Sequence, residues 1–233
     1  MLKQGLFFIA FICFLNSTLA QDNSGFADFN YYRDSRGFNN FTLNLGADLQ
    51  NNFQYFSFIN LNPENSPTDL GGYYTEHHLR WAPYPNKAWD ITQLWTSASG
   101  ENNDHLQYGI RWKLNETKAL NNFFNSIKGF FFINFHAIQI RSLKNIGGFP
   151  QVEYVYRFNV LGEKLKDRLY LMGFADQIFN YNDKLTQQWV SEHQLGYKIK
   201  GAFYLVAEYR INTFLPKASQ HALGLGLEYV IVF

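Results

Sequence analysis

Ser191 and His193 could form a nucleophile and general-base pair. They are two positions apart, and residues at positions i and i+2 share one face of a β-strand. Such a pair also needs a group that orients the histidine and donors that stabilise an oxyanion. The lipase-like order His-x-Ser-Asn-Gly is absent from the chain. A phospholipase-like enzyme that works on the lipid face of a barrel is therefore an alternative to the main hypothesis below.

Glu76, His77 and His78 are a second group with chemistry-bearing side chains. On a strand, His77 points away from the other two, so at most two ligands converge, which is fewer than a typical metal site needs. We interpret His136 as a hydrogen-bonded interior residue. The sequence thus predicts no catalytic residue, no metal ligand and no cofactor, and we do not expect an enzyme.

The elements that position these residues are short segments in which apolar and polar residues alternate, as in half-buried strands. Twelve such segments are predicted, although a count of ten or eleven stays open. They cover residues 26–34, 40–49, 53–61, 73–81, 88–97, 104–114, 128–141, 149–160, 167–178, 187–198, 202–212 and 221–233. Most have the roughly 9 to 11 residues that a tilted transmembrane strand requires.

The charged residues occupy one parity of these strands, and aliphatic or aromatic residues occupy the other. A charge on the lipid face of a barrel costs about 2 to 4 kcal/mol near the midplane, so the charged row must face inward. This reasoning predicts the following pore-lining residues: Glu76, Arg80, Arg111, Lys113, Glu153, Arg157, Tyr170, Glu192, Tyr204, Glu208, Arg210 and Glu228.

Whether the predicted lumen conducts is left open by the sequence. A barrel of about twelve strands is wide enough for a narrow water path, but paired charges of both signs could also plug it. Inward aromatic residues such as Tyr74, Phe132 and Phe174 could stack on a flat polar solute such as a nucleoside, or they could simply fill space.

The N-terminal residues have the form of a secretory signal peptide, predicted to be cleaved after Ala20. Its apolar run, residues 6–15, is too short to span a bilayer as a helix. Cys13, the single cysteine, lies within it. The remaining domain, residues 21–233, is formally neutral, because it keeps all 19 Asp and Glu and all but Lys3 of the 20 Lys and Arg. The domain has no excess of positive charge, so its composition does not predict binding to nucleic acid.

The last segment alternates Leu223, Leu225 and Leu227 with small inward residues and ends at Phe233. This pattern is typical of the closing strand of an outer-membrane barrel, and it predicts recognition by the barrel-assembly machinery. The small inward row, which includes Gly224 and Gly226, suggests room for a solute. Aromatic residues make up 19% of the chain and charged residues 17%, which also favours a transmembrane barrel over a soluble domain.

The connections are expected to alternate between short inner turns and longer outer loops. Residues 115–127 break this rule, because they form a long connection where an inner turn is expected. A short interfacial helix and a misplaced strand boundary explain them equally well.

The order of strand motifs resembles that of the Tsx-like nucleoside-specific channels of the outer membrane. The similar stretches are YYTEHHLRW (73–81), WDITQLW (89–95), DHLQYGIR (104–111), YVYRF (154–158), DRLYLMGFAD (167–176) and residues 191–233. The resemblance implies a monomeric, twelve-stranded barrel with a narrow, aromatic-lined passage for nucleosides.

These observations together predict an all-β, transmembrane, antiparallel β-barrel in the bacterial outer membrane. Its expected function is passive diffusion of small hydrophilic solutes, with nucleosides favoured. The expected partners are outer-membrane lipid and the solutes themselves. A plugged structural barrel is the further alternative.

Overall fold

The computed structural model describes residues 24–62, 72–83, 88–99, 104–142, 145–146, 150–159, 165, 168–180 and 186–233. The predicted signal peptide and Cys13 lie outside these residues, as do most of the connections at 63–71 and 181–185. Within the described ranges, no helix combines the length and the apolar character needed to cross a membrane.

Thirteen strands are described, and twelve of them form the wall of the barrel. They are β1 Gly25–Asp34, β2 Asn39–Asp48, β3 Phe53–Asn62, β4 Gly72–Trp81, β5 Trp89–Ala98, β6 His105–Lys113, β7 Phe130–Ser142, β8 Asn145–Ile146, β9 Gln151–Asn159, β10 Leu169–Asn180, β11 Thr186–Lys200, β12 Phe203–Asn212 and β13 His221–Val232. The two-residue β8 pairs with β7 and extends one hairpin.

The sheet is closed. All neighbouring strands are antiparallel, and β6 pairs with β7 while β1 pairs with β13, which completes the ring. Closure leaves no strand edge with unpaired backbone groups, as a wall in lipid requires. The predicted twelve-stranded, antiparallel barrel is therefore confirmed, with strand boundaries within two residues of those predicted.

The two faces of the wall differ in polarity, as the alternation predicts. On β13, Leu223, Leu225 and Leu227 are 54%, 63% and 52% exposed, whereas Ala222 and Glu228, which have the opposite parity, are 2% and 1% exposed. Other outward residues are equally apolar and exposed, among them Trp89, Ile91, Trp95, Leu205 and Ile231. A continuous apolar outer surface of this size is suited to lipid rather than to water.

The start of β1 and the end of β13 lie at the same rim of the barrel, where Gly25 and Phe233 exchange backbone hydrogen bonds of 2.7 and 3.0 Å. We call this rim the terminal end. It also carries the 3-10 turn Gln50–Asn52 and the long connection between β6 and β7.

The long connection contains a 3-10 turn, Leu114–Glu116, and a short helix, α1, Asn121–Ser126. Of the two explanations for residues 115–127, the helix is thus the correct one. Within this helix, the side chain of Phe124 is buried and that of Phe123 is exposed.

Candidate functional site: the barrel interior

The interior of the barrel is identified by hydrogen bonds between strands that are not neighbours in the sheet. Tyr32 of β1 donates its hydroxyl to Oε1 of Gln194 on β11 at 2.5 Å, although β13 and β12 lie between these strands. Gln107 of β6 likewise reaches Gln151 of β9 at 3.1 Å. Such contacts can form only across the lumen, so these side chains face inward.

The twelve residues predicted to line a pore lie on this inner row or bond to residues that do. Seven are buried, namely Arg80, Arg111, Lys113, Glu153, Tyr170, Glu208 and Glu228, and the other five, Glu76, Arg157, Glu192, Tyr204 and Arg210, are half-buried. Their lining of a path for solute stays a prediction.

One group of interior charges is organised around Asp90 of β5. Arg111 donates from Nε to Asp90 Oδ2 at 2.7 Å and contacts the same carboxylate and Gln54 through Nη2. Lys113 Nζ lies 3.0 Å from Asp90 Oδ1. The guanidinium of Arg111 also lies over the ring of Phe132, 4.8 Å from its centroid. Two cations share one buried carboxylate, which compensates for their removal from water.

A second group surrounds Arg210 of β12. Its Nε contacts Glu208 on the same strand and lies 3.5 Å from Glu192 Oε1 of β11. Its guanidinium also lies over the ring of Tyr32, 5.6 Å from the centroid. Here one cation is shared by two carboxylates, the reverse of the arrangement at Asp90. Each group thus brings charges of opposite sign into contact, in opposite proportions.

A chain of polar contacts joins these strands across the lumen. Tyr170 bonds to Glu228 through its hydroxyl, and Gln194 donates to the same hydroxyl at 2.5 Å. Tyr32 bonds to Gln194 and to Asn30. The chain therefore links β1, β10, β11 and β13 and occupies part of the cross-section of the barrel.

The small inward row of β13 does not leave the space that its sequence suggests. Tyr32 lies against it and is only 2% exposed. A Cβ added to Gly226 would lie 2.0 Å from the backbone oxygen of Tyr31 and 2.9 Å from the Tyr32 ring. The expectation of room for a solute is therefore wrong at Gly226, because this glycine accommodates the neighbouring strand and its tyrosine.

Interior histidines are paired with carboxylates. His78 Nε2 lies 3.1 Å from Glu76 Oε2, so these two converge as predicted, while His77 faces outward and bonds to Tyr55. His136 Nε2 lies 3.9 Å from Glu153 Oε2, and neither ring nitrogen of His136 has a hydrogen-bond partner among the described residues, so the interpretation of His136 as hydrogen-bonded is wrong. No cluster of three or more metal-ligating side chains occurs among the described residues.

Ser191 and His193 do not form a nucleophile and base pair in the described structure. Ser191 is 4% exposed, so its hydroxyl is covered. His193 bonds through Nδ1 to the hydroxyl of Tyr156 at 2.7 Å and stacks on its ring. The geometry does not favour the enzyme alternative.

A cavity of about 310 Å³ opens at the terminal end, among the first or last residues of β7, β9, β10, β11 and β12. Four cationic residues line it, Lys128, Arg157, Arg168 and Lys198, together with Tyr170, Tyr204, Asn159 and Leu169. None of the described residues that line it is acidic, whereas charges of both signs lie deeper in the barrel. We call it the basic mouth.

No family model matches the chain, and no curated protein matches it. Solved structures do. The NanC porin aligns over 87% of this chain and 98% of its own, with a TM-score of 0.56 at 10% identity. The KdgM porin aligns over 88% and 98%, with a TM-score of 0.52 at 12% identity. A structure of KdgM with disordered oligogalacturonate aligns over the same shares, with a TM-score of 0.50 at 11% identity.

The chain shares the fold of outer-membrane porins. The similarity described above is to KdgM and NanC, and it does not show membership of the Tsx-like family.

Some residues of the site were absent from the predicted set. Asp90 and Tyr32 follow the inward parity of their strands, so their alternation with Trp89, Ile91 and Tyr31 could have identified them. Lys128 and Arg168 fall within the predicted segments 128–141 and 167–178, but the structure places them just before β7 and β10. Only the folded rim brings them to the basic mouth.

Proposed function

We propose that the chain is an outer-membrane channel for the passive diffusion of small hydrophilic solutes. The observation that carries the proposal is a closed, twelve-stranded wall with an apolar outer face and a charged and polar inner face. Such a wall separates lipid from a hydrated interior. The shared fold with the KdgM and NanC porins supports the proposal.

The solute class that we propose to test first is the nucleosides. The inward Tyr74, which is half-buried, provides an aromatic ring next to the hydrogen-bonding carboxylate of Glu76. A base can stack on an aromatic ring while its edge is held by polar side chains. The twelve predicted pore-lining residues are proposed as the surface along which the solute passes.

A structural barrel whose lumen is plugged by side chains is the second candidate. It is favoured by the contacts that cross the lumen, above all those of Tyr32 and Tyr170 with Gln194. If these contacts hold in the membrane, they narrow or block the path.

Liposome swelling separates these possibilities. The purified barrel is reconstituted and challenged with nucleosides, and with sugars and amino acids of similar size. Faster swelling with nucleosides is the expected result. Equal rates for all solutes would identify a general pore, and no swelling would identify a closed barrel.

The remaining expectations follow from the same proposal. We propose that the domain at residues 21–233 acts as a monomer after removal of the signal peptide, and that the assembly machinery recognises the strand ending at Phe233. Light scattering of the purified protein in detergent measures the oligomeric state. The amount of Phe233→Ala protein inserted in the outer membrane tests the recognition, and we expect it to be reduced.

A further inference from the structure

The basic mouth concentrates positive charge at one rim of a chain that is formally near neutral. Its cations come from four places in the sequence: Lys128 before β7, Arg157 near the end of β9, Arg168 before β10 and Lys198 near the end of β11. The closed barrel brings them around one cavity. The described lining of this cavity is therefore positive, although the chain as a whole is nearly neutral.

Three of these cations have no ion-pair partner in the described part of the chain. Arg157, Arg168 and Lys198 lie instead over aromatic rings, those of Tyr170, Tyr197 and Tyr204, at 4.3, 5.2 and 5.8 Å from the centroids. A ring face holds a cation in position and does not neutralise its charge. The N–H groups that are not needed for internal pairs remain available to a ligand.

The residues behind the cavity carry the opposite charge. Tyr170 forms part of its lining, and the hydroxyl of Tyr170 bonds to Glu228. Asp28 and Glu228 are both buried on the lumen side of the wall. An anion that enters the mouth thus meets the cations before it reaches these carboxyl groups.

We propose that the basic mouth is a binding site for a small organic anion, a phosphate or carboxylate group carried on a molecule of about the size of a monosaccharide. Guanidinium groups recognise both kinds of oxyanion through paired N–H donors. The cavity volume of about 310 Å³ suits a ligand of this size. The half-buried Tyr204 in the lining provides an aromatic surface for the rest of the molecule.

This inference deepens the proposed channel function by adding a charge requirement at one end, but the binding itself does not require the lumen to conduct. Equilibrium binding in detergent tests the site, and swelling of liposomes tests the channel. Binding without swelling would support the site and reject the channel, and swelling without binding would do the reverse.

Isothermal titration calorimetry of the purified barrel with glucose 6-phosphate, glucuronate and uncharged glucose is the direct test. We expect both anions to bind and glucose to bind at least about tenfold more weakly, as for the loss of a charge-assisted hydrogen bond. If only one anion binds, the site distinguishes phosphate from carboxylate. Equal binding of glucose would overturn the proposal.

Substitutions assign the binding to the mouth. Arg157→Gln and Arg168→Gln are each expected to weaken anion binding about tenfold. Arg168→Lys, which keeps the charge, is expected to lose less. Lys118→Gln is the matched control, because Lys118 is exposed in the β6–β7 connection at the same end and does not line the cavity.

Equal losses in Lys118→Gln and Arg168→Gln would show non-specific attraction and reject the site. Each variant is first examined for the heat-dependent gel shift of a folded barrel. If Arg157→Gln fails to fold, the pair Arg168→Gln and Arg168→Lys decides, because Arg168 lies outside the strands.

Discussion

Two regions of the barrel treat their cations in opposite ways. Inside the wall, Arg111 and Lys113 share Asp90, and Arg210 is shared by Glu208 and Glu192. At the basic mouth, Arg157, Arg168 and Lys198 rest on aromatic rings, and no carboxylate among the described residues lies within ion-pair distance of them. Both regions belong to the same barrel wall, so the β-barrel fold alone does not explain why the cations are paired in one region and not in the other.

The difference follows from access to water. A buried charge is costly unless it is paired, whereas a charge at an open rim stays solvated without a partner. Interior pairs therefore hold strands together, and rim cations contribute little to stability. This contrast assigns structure to the first region and ligand binding to the second, and the variants below test it from the largest expected effect to the smallest.

Removing the shared carboxylate of the interior should have the largest effect. Asp90→Asn leaves Arg111 and Lys113 as buried cations without a full countercharge, and we expect a loss of about 3 kcal/mol in the free energy of unfolding. Urea unfolding in phospholipid vesicles, followed by tryptophan fluorescence, measures it. Asp104→Asn is the control, because Asp104 is exposed and bonds only to Ser97 in the described structure. A loss below about 1 kcal/mol in Asp90→Asn, as for a surface pair, would break the contrast.

The seam between β1 and β13 provides a sharper test of interior packing. In Gly226→Ala the new Cβ would lie 2.0 Å from the backbone oxygen of Tyr31, so the closing strand must shift, at a cost of about 1 to 3 kcal/mol. At Gly224 the same Cβ would lie no closer than 3.6 Å to any atom. Gly224→Ala is therefore expected to be neutral or slightly stabilising.

The same unfolding assay compares the two alanine variants. If they are equally stable, Tyr32 and its strand do not lie against Gly226 as described, and the small row would again be open to a solute.

Adjacent tyrosines on β1 test the bond that crosses the lumen. Tyr32→Phe removes the hydroxyl that bonds to Gln194 and Asn30, and we expect a loss of about 1 to 2 kcal/mol. Tyr31→Phe removes an exposed hydroxyl that bonds to Asn39, and we expect a change within about 0.5 kcal/mol. Swelling assays on the same proteins show whether the bond limits passage. Equal stability of the two variants would mean that the cross-lumen contact is not maintained in the membrane.

The strands could be predicted closely because a side-chain period of two is a local property of the chain. The same alternation assigned faces correctly to Arg111, Glu208 and Glu228. It could not predict that Tyr32 covers Gly226, because that contact depends on which strands become neighbours and in which register. The sequence therefore predicts which side chains face the lumen, but not how much of the lumen they fill.

The basic mouth was harder still to predict. Arg157 could be assigned to the inner face from its strand, and Lys128 and Arg168 fall in the predicted segments 128–141 and 167–178, but the structure places these two just before β7 and β10. They lie near Lys198 because β7, β9, β10, β11 and β12 are consecutive neighbours in the sheet, so their ends meet at one rim. A sum of charges over the whole chain hides this cluster, since the interior carboxylates cancel it.

The smallest effect is expected at the basic mouth itself. Arg168→Gln removes a cation that lies over Tyr197 and has no ion pair among the described residues, so the free energy of unfolding should change by less than about 1 kcal/mol. The unfolding assay used for Asp90→Asn measures it on the same scale. A loss as large as that of Asp90→Asn would mean that Arg168 holds the rim together. Its charge would then be required by the fold, and the contrast between the paired interior cations and Arg168 would no longer separate structure from binding.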